Sequence, residues 1–222
     1  LFRDSGQLLG LSNALAVALG DLDRDGDLDA MEGNYGEASR ILWNDGRGRL
    51  APGIQSFPAL ATAALVLGDL DGDGDTDLVL GDDGRGLQVW LNLGRGSFQD
   101  SGQRLGSAGS AALLLGDADG DRDLDLFQAA VDQPHRLWLN QGRARFVDSG
   151  QALAAPAASA AALADLDADL DLDLTLAHSG QLSLWLNDGR GGLSAGALLA
   201  SAGSPSGVAF ADVDRDFDPD LL

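Results

Sequence analysis

Residues Gly68 to Asp77 read GDLDGDGDTD, so Asp69, Asp71, Asp73, Asp75 and Asp77 alternate with small or apolar residues. Five carboxylates within nine residues repel one another unless a cation sits among them. Oxygens at positions 1, 3 and 5 of a tight loop, a glycine at 6 and a further carboxylate nearby form the outline of a calcium cage. Magnesium suits it less well, because that ion keeps its waters and resists an all-protein cage.

The stretch recurs. Equivalent loops begin at Asp21, Asp69, Asp117, Asp165 and Asp212, at intervals of 48, 48, 48 and 47 residues. The asparagine closing an L-W-N or W-L-N triplet keeps the same period at Asn44, Asn92, Asn140 and Asn187. So does the phrase F-x-D-S-G-Q at Phe2 to Gln7, Phe98 to Gln103 and Phe146 to Gln151. A constant period of this size marks a repeat architecture.

Within one unit, the apolar run Ala61 to Gly68 reads as a buried strand, and the acidic loop turns it into a second strand at Leu78 to Gly81. A third strand follows at Leu87 to Asn92, a glycine-bearing hairpin at Leu93 to Gly96 and a fourth strand at Ser97 to Gln103. No sustained 3.6-residue apolar stripe occurs, so helix content is expected to be very low. Four strands per 48-residue unit predict an all-β fold, a β-propeller of four-stranded blades with five blade repeats. A blade packs on neighbours through both faces, which accounts for strands such as LSLWLN being apolar throughout. The reading is one propeller domain over residues 1–222, with repeats starting near 15, 63, 111, 159 and 206. Residues 1–7 are expected to form the fourth strand of a split or preceding blade. The fifth unit lacks a third strand, so either the ring closes imperfectly or the chain is part of a longer array. In either case the loops between first and second strands should share one face.

Composition bounds the function. The 222 residues carry 35 acids and 14 bases, a formal charge of −21, with every base an arginine, which makes nucleic acid a poor partner. The acids are aspartates except Glu32 and Glu37, and aspartate belongs in loops rather than helices. Cysteine is absent, so packing or metal must hold the fold together. No apolar run reaches the roughly 18 residues of a membrane span. The start at Leu1 shows no signal-peptide pattern, which predicts a mature or trimmed segment.

The pattern D-x-D-x-D-G-x-x-D between two strands, followed by W-L-N-x-G-x-G-x-F, resembles the FG-GAP and VCBS repeats of integrin-α-like calcium-binding propellers. The resemblance covers essentially the whole chain. It implies that positions 1, 3, 5 and 9 offer side-chain oxygens and position 7 a backbone carbonyl. Carried over, loop one would use Asp21, Asp23, Asp25 and Asp29 with the carbonyl of Asp27. Loop two would use Asp69, Asp71, Asp73 and Asp77 with Asp75, and loop three Asp117, Asp119, Asp121 and Asp125 with Asp123. Loop four would use Asp165, Asp167, Asp169 and Asp173 with Asp171, and loop five Asp212, Asp214, Asp216 and Asp220 with Asp218. Up to five structural calcium ions are thereby implied, with loops one and two the best preserved.

Position 6 is Gly26 and Gly74 in those two loops but Arg122, Leu170 and Phe217 in the others. If the turn needs positive φ there, a side chain costs on the order of 1 kcal/mol, and loops three to five should bind more weakly. Pro219 also stiffens the approach to Asp220 in loop five. Loop one, with Glu32 at position 12, also satisfies an EF-hand pattern, but Gly33 to Gly36 form a turn where an EF-hand needs its exiting helix.

Other residues carry a plain and a sharper reading. Trp43, Trp90, Trp138 and Trp185 are read as inter-blade core rather than a ring of sugar-stacking platforms. Trp43 directly precedes its asparagine whereas the others lie two before theirs, so it should face the opposite side of its blade and be the most exposed. Arg47, Arg95, Arg143 and Arg190 are read as solvated turn residues rather than a ring for sulfated or carboxylated glycans. His135 and His178 are expected on surface loops, and Ser5, Ser101 and Ser149 in Asp-Ser-Gly turns rather than as nucleophiles.

These readings predict a calcium-stabilised propeller outside the cell or at its surface, serving adhesion or recognition of a protein or glycan in a lectin-like way. A structural spacer within a large surface protein or filament is the alternative. A propeller-scaffold polysaccharide lyase or hydrolase is a further one, disfavoured because active sites break a repeat's symmetry with insertions and here the repeat is nearly insertion-free. The expected class is therefore not an enzyme.

Overall fold

The computed structural model describes residues 4–154, 156–201, 203, 205–215 and 218–222, and among them every regular element is a strand. The first unit comprises β1 (Ala14–Gly20), β2 (Asp29–Asn44) and the opening part of β3 (Leu50–Gly68). Stretched out, the 16 residues of β2 would span about 50 Å. Instead Asn44 N donates to Asp29 Oδ1 at 2.8 Å, so the run folds back on itself. Its first part pairs with β1, and its second part pairs with β3 from Leu50 to Ala61. From Thr62 onward β3 leaves that blade and pairs with β4 (Asp77–Asp82), becoming the first strand of the second.

The second blade continues through β5 (Gly86–Asn92) and β6 (Phe98–Leu105). The third is β7 (Ser110–Gly116), β8 (Asp125–Ala130), β9 (His135–Asn140) and β10 (Phe146–Leu153), in the order β10-β9-β8-β7. The fourth is β11 (Ala160–Ala164), β12 (Asp173–His178), β13 (Gln181–Leu186) and β14 (Ser194–Ala200). β15 (Phe210–Ala211) and β16 (Asp220–Leu221) form a short antiparallel pair from the fifth unit. All the ladders are antiparallel. The 47-residue interval arises in the fourth blade, where His178 pairs with Gln181 across a two-residue turn at Ser179 and Gly180.

Alternating residues of the second and third blades serve two different cores. Leu78 and Leu80 of β4 join Leu22, Met31, Ile41, Phe57 and Trp90 between the first and second blades. Val79, between them in sequence, packs with Val89, Leu113, Leu126 and Trp138 on the other side, between the second and third. A third core, with Phe127, Leu137, Leu174 and Leu176, lies between the third and fourth. Each of these buried aliphatic and aromatic side chains contributes roughly 1.5–3 kcal/mol.

The tryptophans follow this division. Trp90 and Trp138 are buried and reach back toward the preceding blade. Trp43 packs on the same core as Trp90 but reaches it from the opposite blade, as its shifted register predicts, and it is only half-buried.

Candidate metal centres

Each acidic loop joins the first strand of its blade to the second, and its nine residues divide into distinct tasks. Position 9 is the anchor. Asp77 is fully buried; its Oδ2 accepts from Leu70 N at 2.9 Å and its Oδ1 from Asn92 N at 2.7 Å. Asp29, Asp125 and Asp173 repeat both contacts with Leu22 and Asn44, Ala118 and Asn140, and Leu166 and Asn187. Asp220 accepts from Val213 N in the same way.

Position 1 closes the turn by accepting from the amide at position 6, as Asp69 does from Gly74 N at 2.9 Å and Asp165 from Leu170 N at 3.1 Å. Position 5 accepts from the amide at position 7 in loops one to four, as Asp73 does from Asp75 N at 2.7 Å.

The carboxylates at positions 1, 3 and 9 converge. Asp21, Asp23 and Asp29 each offer one oxygen, all within 4.8 Å of one another. The same holds for Asp69, Asp71 and Asp77, for Asp117, Asp119 and Asp125, for Asp165, Asp167 and Asp173, and for Asp212, Asp214 and Asp220. Asp25, Asp73, Asp121 and Asp169 stand outside these triads, and Asp216 lies outside the described residues. Asp27, Asp75, Asp123 and Asp171 at position 7 direct their carboxylates toward the hairpin glycines Gly46, Gly94, Gly142 and Gly189.

The electrostatics of the triads show a shortage of positive charge. Burial, reinforced by Asp71 and Asp73, pushes Asp77 up to about 6 despite its two backbone donors. Asp125 reaches about 6 for the same reasons, with Asp119 and Asp121 as the repelling neighbours. Asp29, Asp71 and Asp119 are also raised, first by burial and then by adjacent carboxylates. An all-oxygen donor set of this kind fits a hard divalent cation and offers nothing to a thiophilic one. The repeated clusters can therefore hold metal ions.

Backbone strain distributes unevenly over the loops. Position 6 does take positive φ: Gly26 and Gly74 are at 93° and 85°, and Arg122 and Leu170 are held at 75° and 76°. Position 4 takes it as well, through Arg24 (64°), Gly72 (78°), Gly120 (80°), Ala168 (62°) and Arg215 (70°). Loop two thus meets both requirements with glycine, loops one and three meet one, and loop four meets neither. Gly72 and Gly120 gave position 4 as much glycine signal as position 6 has, but the calcium-loop pattern names a glycine at position 6 alone.

The loops are wired together through the asparagine marker. Asn92 Nδ2 donates to Leu22 O of the preceding blade at 2.8 Å and to Thr76 O at 3.1 Å. Asn140 reaches back to Leu70 O and Asn187 to Ala118 O in the same way. Because each asparagine also donates its backbone amide to a position-9 aspartate, an unbroken series of hydrogen bonds runs from loop one to loop four. Arg24 adds a second link, donating to Gly74 O and Asp73 O and pairing with Asp75 at 2.8 Å.

A further set of joints escaped the motif reading. Gln103 donates to Ala144 O and accepts from Phe146 N across the next blade boundary. Gln7, Gln55 and Gln151 do the same with Gly48 and Leu50, Phe98, and Gly191 and Leu193. The 48-residue spacing of these glutamines was available in the sequence. Asp4–Gln7 belong to no ladder, yet Gln7 occupies the place a preceding fourth strand would supply; residues 1–3 lie outside the described residues.

Several side chains find structural uses. Glu32 pairs with Arg40 at 3.0 Å and accepts from the Ser12 hydroxyl, away from the loop-one triad. The Asp-Ser-Gly phrases are turns: Gly102 N donates to Asp100 Oδ1 and Gln103 N to Ser101 Oγ, with the same pair around Ser5 and Ser149. The histidines correct an expectation, because both are buried rather than exposed on loops. His135 Nδ1 accepts from Ala130 N and Nε2 donates to Pro156 O, while burial lowers its basicity and keeps the ring neutral. His178 lies against the Ser183 hydroxyl. Their positions at strand ends beside short turns gave no sequence signal of burial.

The FG-GAP-like repeat model matches residues 21–80, 69–128, 117–176 and 165–222 in overlapping pairs of units. The chain belongs to the FG-GAP-like repeat family. A search of curated proteins returned no match. Among solved structures, this FG-GAP-like chain is similar to BBS1N, solved in complex with ARL6DN, with a TM-score of 0.63 and 14% identity over 97% of this chain and 63% of that one. It is also similar to a lectin of Agrocybe aegerita, described as specifically recognising non-reducing terminal N-acetylglucosamine. That match has a TM-score of 0.55 and 22% identity over 82% of this chain and 50% of the lectin. The computationally designed Ika8 protein matches with a TM-score of 0.56 and 18% identity over 93% and 57% of the two chains. At these identities the likeness is one of fold, and the FG-GAP-like chain spans between half and two thirds of these neighbours.

Proposed function

We propose that the chain is an extracellular, calcium-stabilised propeller that serves as a recognition module rather than an enzyme. The observation that carries this reading is the recurrence of one all-oxygen aspartate triad at positions 1, 3 and 9 in every repeat. A site dedicated to chemistry occurs once; five equivalent sites hydrogen-bonded from blade to blade through loops one to four suit a structural ion. Calcium is the ion of choice, since carboxylates and a loop carbonyl form the flexible oxygen cage it prefers, and extracellular modules bind it in the 10⁻⁴–10⁻³ M range. Asp21, Asp23 and Asp29 and their equivalents would hold the ion, and the position-5 carboxylates and position-7 carbonyls of the same loops complete the set. The ion supplies positive charge where Asp77 and Asp125 now resist ionisation; the protein supplies the anchor, the turn and the links to the next blade.

Recognition is supported by the fold shared with a sugar-specific lectin. His135 is withdrawn from acid–base chemistry, since both of its ring nitrogens are committed to backbone groups. Calorimetry with calcium, together with melting in excess chelator, tests the metal. An unchanged melting temperature in chelator excludes a structural ion. Presenting the calcium-loaded chain to a glycan array and to extracellular proteins tests recognition, and silence in both excludes it.

A further inference from the structure

The fold repeats a groove at successive blade boundaries, and one copy departs from the repeat. Between the first and second blades the groove has a volume of 550 Å³, with Trp43, Ile54 and Asp23 on one side and Arg95 and Gly96 on the other. Its counterpart between the second and third blades carries Leu91 where Trp43 stands, with Arg143 in the place of Arg95. The third and fourth blades likewise have Leu139 and Leu186 at that position. Only the first blade presents an aromatic ring there.

Two glycines have made room for it. A Cβ on Gly96 would lie 2.0 Å from the indole Cη2, and one on Gly53 would lie 2.7 Å from its Nε1. The equivalents of Gly53 and Gly96 are Ser101 and Ala144 at the second boundary and Ser149 and Gly191 at the third, so of these three boundaries the first alone has glycine at both places. Trp43 is therefore wedged in one orientation, a platform fixed before any ligand arrives. Around it, the exposed Arg95 guanidinium and the Trp43 indole N–H have no hydrogen-bond partner among the described residues. Ile54 contributes an exposed apolar edge.

We infer that this groove is a binding site for a neutral saccharide. The apolar C–H face of a pyranose stacks on Trp43, and its hydroxyl or ring oxygens accept from Arg95 and the indole N–H. A sulfated or uronate-rich glycan fits worse, because the groove offers one guanidinium on a chain whose formal charge is −21. The inference rests on the recognition reading above and narrows it to one ligand class and one boundary.

The test uses the calcium-loaded 222-residue chain titrated with glucose, galactose, mannose, N-acetylglucosamine and their β-linked dimers, with glucuronate and heparin fragments as the anionic arm. Acrylamide quenching of tryptophan fluorescence gives a second readout. The expected result is binding of at least one neutral sugar that shields Trp43. Trp43→Leu, which installs the residue the other blades already carry, should weaken it at least tenfold while the chain still melts as a folded protein, at a lowered temperature because the ring also packs on the inter-blade core. Arg95→Ala should weaken it severalfold, and Arg143→Ala, at the counterpart groove, should leave it unaltered. Sugar binding that survives both Trp43→Leu and Arg95→Ala overturns this groove and leaves the recognition reading intact. Binding confined to glucuronate or heparin overturns the ligand class. No sugar binding by the folded wild type overturns the inference outright, while capture of a protein ligand would still uphold recognition.

Discussion

Loops two and four carry the same five aspartates and build the same triad, yet they reach it at different cost. In loop two the positions that turn into positive φ are Gly72 and Gly74; in loop four they are Ala168 and Leu170. Loop two also receives Arg24 from its neighbour, which ties down Asp73, Gly74 and Asp75, whereas no described residue does this for Ala168 to Asp171. Each side chain held at positive φ costs on the order of 1 kcal/mol. The lesson is that ligand identity alone does not rank these sites; the backbone that must curl around the ion does.

The largest expected effect separates loaded from empty loops. Saturating one site at a hundredfold excess over its Kd contributes about 2.7 kcal/mol, so losing several sites to chelator should lower the melting temperature by more than about 10 °C. On gradual calcium withdrawal, amide exchange should accelerate first around Asp165–Asp173 and last around Asp69–Asp77, and the reverse order would break the comparison.

Acidity should act in opposite directions on the two states. Asp77 and Asp125 are raised to about 6 in the folded chain against 3.8 for the free side chain, so they favour folding when protonated. Their contribution is complete below pH 4 and is lost as pH rises through about 6. Metal-free protein should thus melt higher at pH 5 than at pH 7. Calcium-saturated protein should melt lower at pH 5, because protons then compete with the ion; parallel slopes would exclude that competition.

Asn92→Ala should cost about 2–3 kcal/mol in chemical denaturation, since it orphans the carbonyls of both Leu22 and Thr76. Gly74→Ala should cost about 1–2 kcal/mol and weaken loop two in calcium titration. The smallest effect is the informative converse: Leu170→Gly relieves strain at an exposed side chain and should stabilise the loaded chain by at most about 1 kcal/mol.

The architecture was open to reading from sequence because it is written four times over. The acidic loops, the asparagine and the alternating apolar strands share one period, and periodicity survives single substitutions. Position 6 announced its geometry through Gly26 and Gly74 because the calcium-loop pattern names a glycine there, whereas the equal signal of Gly72 and Gly120 at position 4 belongs to no such pattern. Gln55 keeps the glutamine ladder, but the phrase around it changes to Pro52, Gly53 and Ile54, so matching on the whole phrase passes over it. His135 and His178 lie beside turns, where burial depends on the neighbouring blade and leaves no local mark. The register of Trp43 was readable; that Gly53 and Gly96 wedge its ring into a groove was not, since they lie on different strands and blades.

The inter-blade joints join like to like: the asparagine of one unit meets the second loop residue of the unit before, and the glutamine meets the hairpin of the unit after. A coupling made of equivalent places does not record how many units stand between the ends. Excising residues 63–110 as a block would bring Asn140 to Leu22, Gln55 to the backbone at 144–146 and Arg24 to Asp123. Every severed joint would find a matching half. Such a chain can lengthen or shorten by whole blades during gene duplication and loss with its hydrogen-bonded joints intact, and the contact left to adjust in this example is Trp43, which would face Ala144 in place of Gly96; blade number is thus free to drift while blade sequence is held.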